Sequence, residues 1–409
     1  MSIPTVNPTP TSITAAFDLP KPPGVSWRVR SQQVVDYEVS MTRGLLSTSN
    51  STFAHACGAD GKRRTRCLVV VDDAVEQLYG ERLRAYFSAW RIAHNWRVVP
   101  GDENTKQLDT ALGLVDDMSS MGILRRAEKI VAIGGGVVLD VVGMTASLYR
   151  RGVPYIRVPT TLIGQVDAGI GVKTGINHGQ HKNRLGTYCA PETALIDPEF
   201  LRTVDRRHIN NGLAEIIKMA LIKDSQLFDL LEATVASIDP ETLADCGPAG
   251  GEILSRSIAG MLDELEPNLW EKVLERAVDY GHTFSPSLEL RADPPLLHGE
   301  AVAVDMAICV ALARNRGLLS EQDADRALTL MNAAGLPLTH PVFTAELLER
   351  ALEDAVKHRD GYQRMPLTAG IGSAVFVNDI TADELQAALS FVAHRDHRAA
   401  DSDVLESAR

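Results

Sequence analysis

Two histidines set sixteen residues apart, each beside a glycine in apolar sequence, carry the strongest chemical signal in the chain. They are His282 in Asp279-Tyr280-Gly281-His282-Thr283-Phe284-Ser285-Pro286 and His298 in Leu296-Leu297-His298-Gly299-Glu300. Neutral imidazoles aimed from adjacent segments could share one metal ion. Glu215 interrupts the hydrophobic helical run Gly212-Leu213-Ala214-Glu215-Ile216-Ile217-Lys218 and offers a third ligand. Two imidazoles and a carboxylate leave a coordination position open for a substrate. Singly, each residue has a plainer reading. A lone histidine is more often hydrogen-bonded in a core, and an acid in a first helical turn is commonplace. Lys218, on the same helical face as Glu215, is either its salt-bridge partner or a second pocket cation.

Upstream, Gly134-Gly135-Gly136 falls where a strand hands over to a helix, a place where backbone N–H groups can receive a phosphate. The run lacks the Gly-x-Gly-x-x-Gly spacing of the common dinucleotide fingerprint, and a tight turn would use the same residues. Asp140 could take a ribose hydroxyl or simply favour the first helical turn. Val158-Pro159-Thr160-Thr161 leads through Gln165-Val166-Asp167 to Gly171-Val172-Lys173-Thr174-Gly175-Ile176-Asn177 and Lys182-Asn183. Hydroxyls, an acid, two lysines and two asparagines in a glycine-bearing stretch fit a polyol or phosphate pocket. Arg151 alone would be a solvated charge.

These residues need elements to position them. Alternation around Val29, Val34, Val35, Tyr37 and Val39 predicts a hairpin over 27–41, and 42–66 reads as a loop-rich insertion. Strands at 67–72, 96–99, 129–133 and 154–159 alternate with helices at 74–94, 105–121 and 137–149, which predicts a Rossmann-like parallel sheet covered on both faces. Beyond residue 207 amphipathic patterns predict helices at 211–223, 226–237, 250–265, 271–282, 299–316, 321–334, 344–357 and 381–393. The expected architecture is an α/β domain over 26–206 and an all-α domain over 207–393. A Pro-, Thr- and Ser-rich arm at 1–25 and a charged tail at 394–409 are expected to be flexible.

The 409 residues are 45% hydrophobic and 23% charged, ordinary for a folded chain of about two domains. A formal net charge of −12 argues against a general nucleic-acid or acidic-membrane binder. Five scattered cysteines form neither a disulfide framework nor a thiolate zinc pattern, so a reducing cytoplasm is expected. The chain opens without a signal-peptide pattern, and no stretch approaches the ~20 apolar residues of a membrane helix.

Taken in order, the motifs from Gly134-Gly135-Gly136 through Ala214-Glu215-Ile216-Ile217-Lys218 to Leu297-His298-Gly299-Glu300 resemble the sugar phosphate cyclases, the superfamily of 3-dehydroquinate synthase, over roughly residues 65–380. The resemblance implies that fold, zinc or cobalt on Glu215, His282 and His298, and NAD held by Asp72, Glu103, Lys106, Gly134, Gly135, Gly136, Asp140, Thr160, Thr161 and Lys182. It further implies that Asp167, Lys173, Asn183 and Lys218 act on the substrate. Arg151 would reach the substrate phosphate of the neighbouring subunit in a homodimer.

Departures from the family pattern bear on the substrate. Asp279 stands where dehydroquinate synthases carry an asparagine, and Pro286 replaces a pocket histidine. Arg256 takes the approximate place of a pocket lysine, and Leu269-Trp270-Glu271 replaces Gly-Leu-Arg. Glu266, in Asp263-Glu264-Leu265-Glu266, and Lys357 are further expected substrate contacts. An acid in place of an asparagine and a proline in place of a histidine, with the family's pocket cations lost nearby, disfavour a substrate carboxylate. The pattern resembles the branch that cyclises sedoheptulose 7-phosphate, which implies formation of 2-epi-5-epi-valiolone by transient oxidation, phosphate elimination, re-reduction, ring opening and aldol closure. 3-Dehydroquinate synthase, another cyclase, or a net oxidoreductase of the glycerol-dehydrogenase type are the alternatives.

Overall fold

The computed structural model describes residues 26–59, 65–179 and 181–407, with side chains as far as Arg395. The expected N-terminal arm lies outside the described residues. From Asp36 onward the chain forms one compact unit.

The described strands are β1 (Glu38–Met41), β2 (Arg66–Asp72), β3 (Ala93–Val99), β4 (Lys129–Gly134), β5 (Tyr155–Pro159), β6 (Lys173–His178), β7 (His181–Tyr188), β8 (Thr193–Ile196), β9 (Met365–Thr368) and β10 (Ala374–Val377). Six of them make a wholly parallel sheet in the order β1-β8-β5-β4-β2-β3. Successive side chains on a strand point to opposite faces. In β2 and β4, Val69, Val71, Val131 and Ile133 enter one apolar cluster, and Leu68, Val70, Ile130 and Ala132 enter another. Both faces are therefore covered, which explains the near-continuous apolar runs. The covering helices are α1 (Thr52–Ala56), α2 (Asp73–Ala89), α3 (Leu108–Met121) and α4 (Gly136–Leu148).

The second half is helical: α5 (Arg206–Ile222), α6 (Ser225–Thr234), α7 (Pro240–Ala244), α8 (Pro248–Leu265), α9 (Ser285–Glu289), α10 (His298–Asn315), α11 (Glu321–Ala333), α12 (Ala345–His358) and α13 (Ala382–Ser407). Helix α10 is its axis, buried from Ala301 to Ala313 and packed on α5. Gly299 permits that approach, because a Cβ there would lie 2.1 Å from the Asn211 carbonyl oxygen.

Several expectations are corrected. Only Glu38–Met41 of the 27–41 stretch is a strand, and it pairs in parallel with β8 rather than in a hairpin. Val29 and Val34 of that stretch stay exposed. Residues 271–282 are loop and turns around one short 3-10 turn at Ala277–Asp279 rather than an α-helix. There Asn268 takes both backbone groups of Val273 with its side-chain amide, and Gly281 adopts φ +74°. In the polar stretch, Lys173–His178 and His181–Tyr188 pair as the antiparallel hairpin β6–β7, and a second small hairpin, β9–β10, lies within the helical half. Helix α13 continues past His394, where the sequence pattern predicts an end. Arg395 pairs there with Asp325.

Candidate active site

A cavity of ≈ 1710 Å³ runs from the C-terminal ends of β2, β4 and β5 to the start of α10. A pocket for one drug-sized ligand is roughly 300–1,000 Å³. The space therefore suits two ligands side by side.

At the strand end, Asp72 closes β2 and caps α2 by accepting from the Ala74 N–H at 2.9 Å. Gly135 and Gly136 line the cavity where β4 passes into α4, with Gly134 just behind them, and Thr160 and Thr161 follow β5 alongside. Lys106 is buried against Asp140 at 2.6 Å. Asn177 donates to Glu103 at 2.7 Å and accepts the Asn183 N–H at 2.8 Å, tying the hairpin to the cavity rim. A π-helical turn, Gly164–Ala168, carries Asp167. Beneath it lies Arg157 of β5, fully buried, whose guanidinium donates to the carbonyls of Ala168, Gly171 and Lys173. Arg157 thereby fixes the loop that presents Asp167 and Lys173. Its place in an apolar strand gave no sign of that role.

At the opposite end, α5 projects Glu215 and α10 begins with His298, while Gly281 supplies the turn that aims His282. A Cβ at Gly281 would come within 2.7 Å of Met306. The ligand atoms of Glu215, His282 and His298 lie within 4.8 Å of one another. His282 Nε2 is 3.8 Å and His298 Nε2 3.3 Å from Glu215 Oε1. The other ring nitrogens are occupied. His282 Nδ1 meets the Tyr280 carbonyl at 2.9 Å, and His298 Nδ1 meets Glu289 at 2.9 Å. A carbonyl can only accept, so His282 Nδ1 carries the proton and its Nε2 faces Glu215.

Electrostatics make this a site for positive charge. Burial alone would raise the Glu215 carboxyl, but Lys218 and the two imidazoles hold it well below the usual range. Burial pushes His298 down, yet Glu215 and Glu289 outweigh it and lift it to about 10. Burial and Lys218 lower His282. Glu289 is drawn to about 2 by His298 and Lys182 against its own burial. Lys218 pairs with Glu215, but neither Glu215 oxygen has a donor in hydrogen-bonding geometry. A buried carboxylate so left, facing two oriented imidazole nitrogens, matches the donor set of a divalent metal.

Sequence reasoning missed four residues here. Glu289, seven residues beyond His282, orients His298 and also binds Lys182 at 2.9 Å, so Lys182 sits on the metal side of the cavity. Arg276 lines the cavity between Glu271 and Asp279, the latter at 2.6 Å. The cation thought lost from this stretch is therefore present, held by two acids. Asp305 of α10, fully buried, accepts the Phe284 and Ser285 N–H groups at 2.5 and 2.8 Å and braces the His282 turn. Arg359, not Lys357, is the buried cation near that turn, 3.4 Å from the Thr283 hydroxyl.

Five expected contacts lie elsewhere. Arg256 pairs with Asp224 and Glu252 at 2.9 Å each, which spends its charge outside the cavity. Lys357 is solvent-exposed against Asp354. Glu266 and Pro286 are exposed and do not line the cavity, Pro286 serving instead to start α9. Arg151 is exposed on the turn after α4 and also lies outside its own chain's cavity.

Comparison with known proteins bears on this arrangement. Residues 96–211 match the family model of the 3-dehydroquinate synthase N-terminal region, and residues 212–357 that of its C-terminal region. A 2-epi-5-epi-valiolone synthase of Streptomyces hygroscopicus subsp. jinggangensis is 49% identical over 384 residues, covering 93% of this chain and 92% of that one. One from an Actinoplanes species is 51% identical over 374 residues, covering 90% and 94%. The solved structure of the Streptomyces hygroscopicus enzyme, with NAD⁺ and Zn²⁺ bound, superposes with a TM-score of 0.85 at 50% identity, covering 90% of this chain and 100% of that chain. A 2-deoxy-scyllo-inosose synthase shares the fold at 24% identity and a TM-score of 0.69, covering 84% and 92%. With these likenesses spanning both halves of the cavity, the chain belongs to the 3-dehydroquinate synthase family of sugar phosphate cyclases.

Proposed function

We propose that this enzyme cyclises sedoheptulose 7-phosphate to 2-epi-5-epi-valiolone with release of phosphate, using NAD and one divalent metal. The observation that carries the reading is identity of about half the residues with valiolone synthases over nine-tenths of the chain. The NAD⁺ and Zn²⁺ of the Streptomyces hygroscopicus structure support the same two groups here.

Glu215, His282 and His298 would hold the metal, and Asp72, Glu103, Lys106, Gly134, Gly135, Gly136, Asp140, Thr160 and Thr161 would hold the nucleotide. When bound, the ion supplies Lewis-acid polarisation of a substrate hydroxyl and the nicotinamide a reversible hydride acceptor. The remaining tasks fall to the chain. Glu289 and the Tyr280 carbonyl keep both imidazoles in register. Lys218, buried beside Glu215 and near Asp167, stays cationic because Glu215 and Asp167 outweigh its burial, and it stabilises negative charge on reacting oxygens. Lys173 at the rim meets the departing phosphate, while Asp167 and Asn183 orient hydroxyls. Arg151, exposed and outside the lining of its own cavity, is assigned to the phosphate of a neighbouring subunit in a homodimer.

Asp279 supports a substrate without a carboxylate. It lines the cavity beside Arg276, 2.6 Å away, and its negative charge there would repel a carboxylate placed next to it. The described residues contain no helix long and apolar enough to cross a membrane, and we assign the enzyme to the cytoplasm. We retain the division into an α/β region to residue 206 and a helical region after it. Incubation with sedoheptulose 7-phosphate, NAD⁺ and Zn²⁺ should give a C7 cyclitol by mass spectrometry. Turnover of the carboxylate-bearing dehydroquinate precursor instead would overturn the reading.

A further inference from the structure

Glu271 stands at an unusual convergence. Lys173 of β6 and Arg276 both pair with its Oε1, and the Tyr188 hydroxyl of β7 donates to its Oε2 at 3.2 Å. All four residues line the cavity. The two cations share one oxygen, and that oxygen has no donor in hydrogen-bonding geometry. Charge at Oε1 and a single hydrogen bond from Tyr188 at Oε2 hold the carboxylate in place. A phosphate dianion, with three free oxygens and twice the charge, would serve the same donors better.

The backbone marks the same residue. Glu271 adopts φ +51°, a left-handed conformation that side chains other than glycine rarely take. The turn is built to impose it. The Glu271 N–H bonds the Asn268 carbonyl at 2.8 Å, while the Asn268 amide clasps Val273 N–H and carbonyl at 3.0 and 2.7 Å. Such enforced conformations cluster at ligand clamps and switches. Arg276 has a second tether, Asp279, which would keep it in place if Glu271 moved away.

We propose that Glu271 is an internal stand-in for the substrate phosphate: it holds Lys173, Arg276 and Tyr188 together in the free enzyme and is displaced when a phosphate group enters. The inference rests on the reading of Lys173 as a phosphate contact. It adds Arg276 and Tyr188 to that subsite and makes Glu271 a competitor that aids phosphate release.

The test is calorimetric titration of inorganic phosphate into the NAD⁺- and Zn²⁺-loaded protein. Glu271→Gln keeps the side-chain length and removes the competing charge, so phosphate should bind about tenfold tighter than to the wild type. Glu271→Asp, which withdraws the carboxylate, should give a smaller gain in the same direction. A purely structural role would not raise affinity. Unchanged or weaker phosphate binding in Glu271→Gln overturns the proposal. If that variant fails to fold, Glu271→Asp decides by the same criterion. Because the probe is phosphate alone, the result does not depend on turnover of sedoheptulose 7-phosphate.

Discussion

On the wall formed by β2, β4 and β5, the cavity is faced by loops at strand ends, and its shape depends on residues without side chains, as at Gly135 and Gly136. On the opposite wall, helices α5 and α10 present Glu215 and His298, while the turn before α9 presents His282. Each ligand there is braced by a further residue: Glu289 for His298, the Tyr280 carbonyl for His282, Lys218 for Glu215. One wall receives its ligand by leaving space beside backbone donors. The other fixes charged side chains against one another, so single substitutions there should separate metal binding from nucleotide binding.

The largest effect is expected from His298→Ala. Loss of a ligand from an already three-residue set should reduce bound zinc, read by elemental analysis, and turnover to background, with NAD⁺ binding largely retained. Retained metal and activity would remove the triad. The converse comes from Gly135→Val, whose first added carbon would already lie 3.3 Å from Thr161 Cγ2. Crowding the loop should cost roughly 2 kcal/mol of NAD⁺ affinity, about thirtyfold, at unchanged zinc content. Equal loss of both ligands in either variant would mean the walls are not separable. A smaller change is expected from Glu289→Gln, which leaves the ligands in place but weakens the hold on His298. Zinc affinity in chelator competition should fall about tenfold to a hundredfold.

The mildest prediction concerns Asp305. Burial pushes its carboxyl up to about 6 although two backbone N–H groups favour the charged form. A carboxyl raised above its ordinary 3.8 binds its proton more readily in the folded chain, so its favourable contribution is lost as pH rises through 6. In denaturant titrations, wild type should therefore gain stability relative to Asp305→Asn as pH falls from 7 toward 5. A pH-independent difference would show that Asp305 titrates normally.

The contrast between the walls also explains what could be read from sequence. The strand–glycine–helix passages are local, so periodicity found the four central and edge strands β2 to β5, but neither β8 nor the parallel pairing of β1. The metal triad spans 83 positions, from Glu215 to His298. Spacing alone could not join it, and the ordered family motifs did. Glu289 and Asp305 escaped notice because each looks like a helical acid, and its role exists only once α9 and α10 fold beside the His282 turn. Arg157 was hidden in the same way within an apolar strand. The stretch 266–286 misled most: a helix was expected at 271–282, Glu266 and Pro286 were placed in the pocket by their family positions, and Arg276 went unseen. Its turns depend on Asn268 holding Val273, a contact that hydrophobic patterning does not report.

A cavity joining these walls is expected to run a redox-neutral cyclisation. The most direct test follows NADH absorbance and phosphate release together while sedoheptulose 7-phosphate is consumed in the presence of NAD⁺ and Zn²⁺. Many phosphates should be released per enzyme with no accumulation of NADH. NADH rising in step with sugar consumed, or no phosphate released at all, would contradict it.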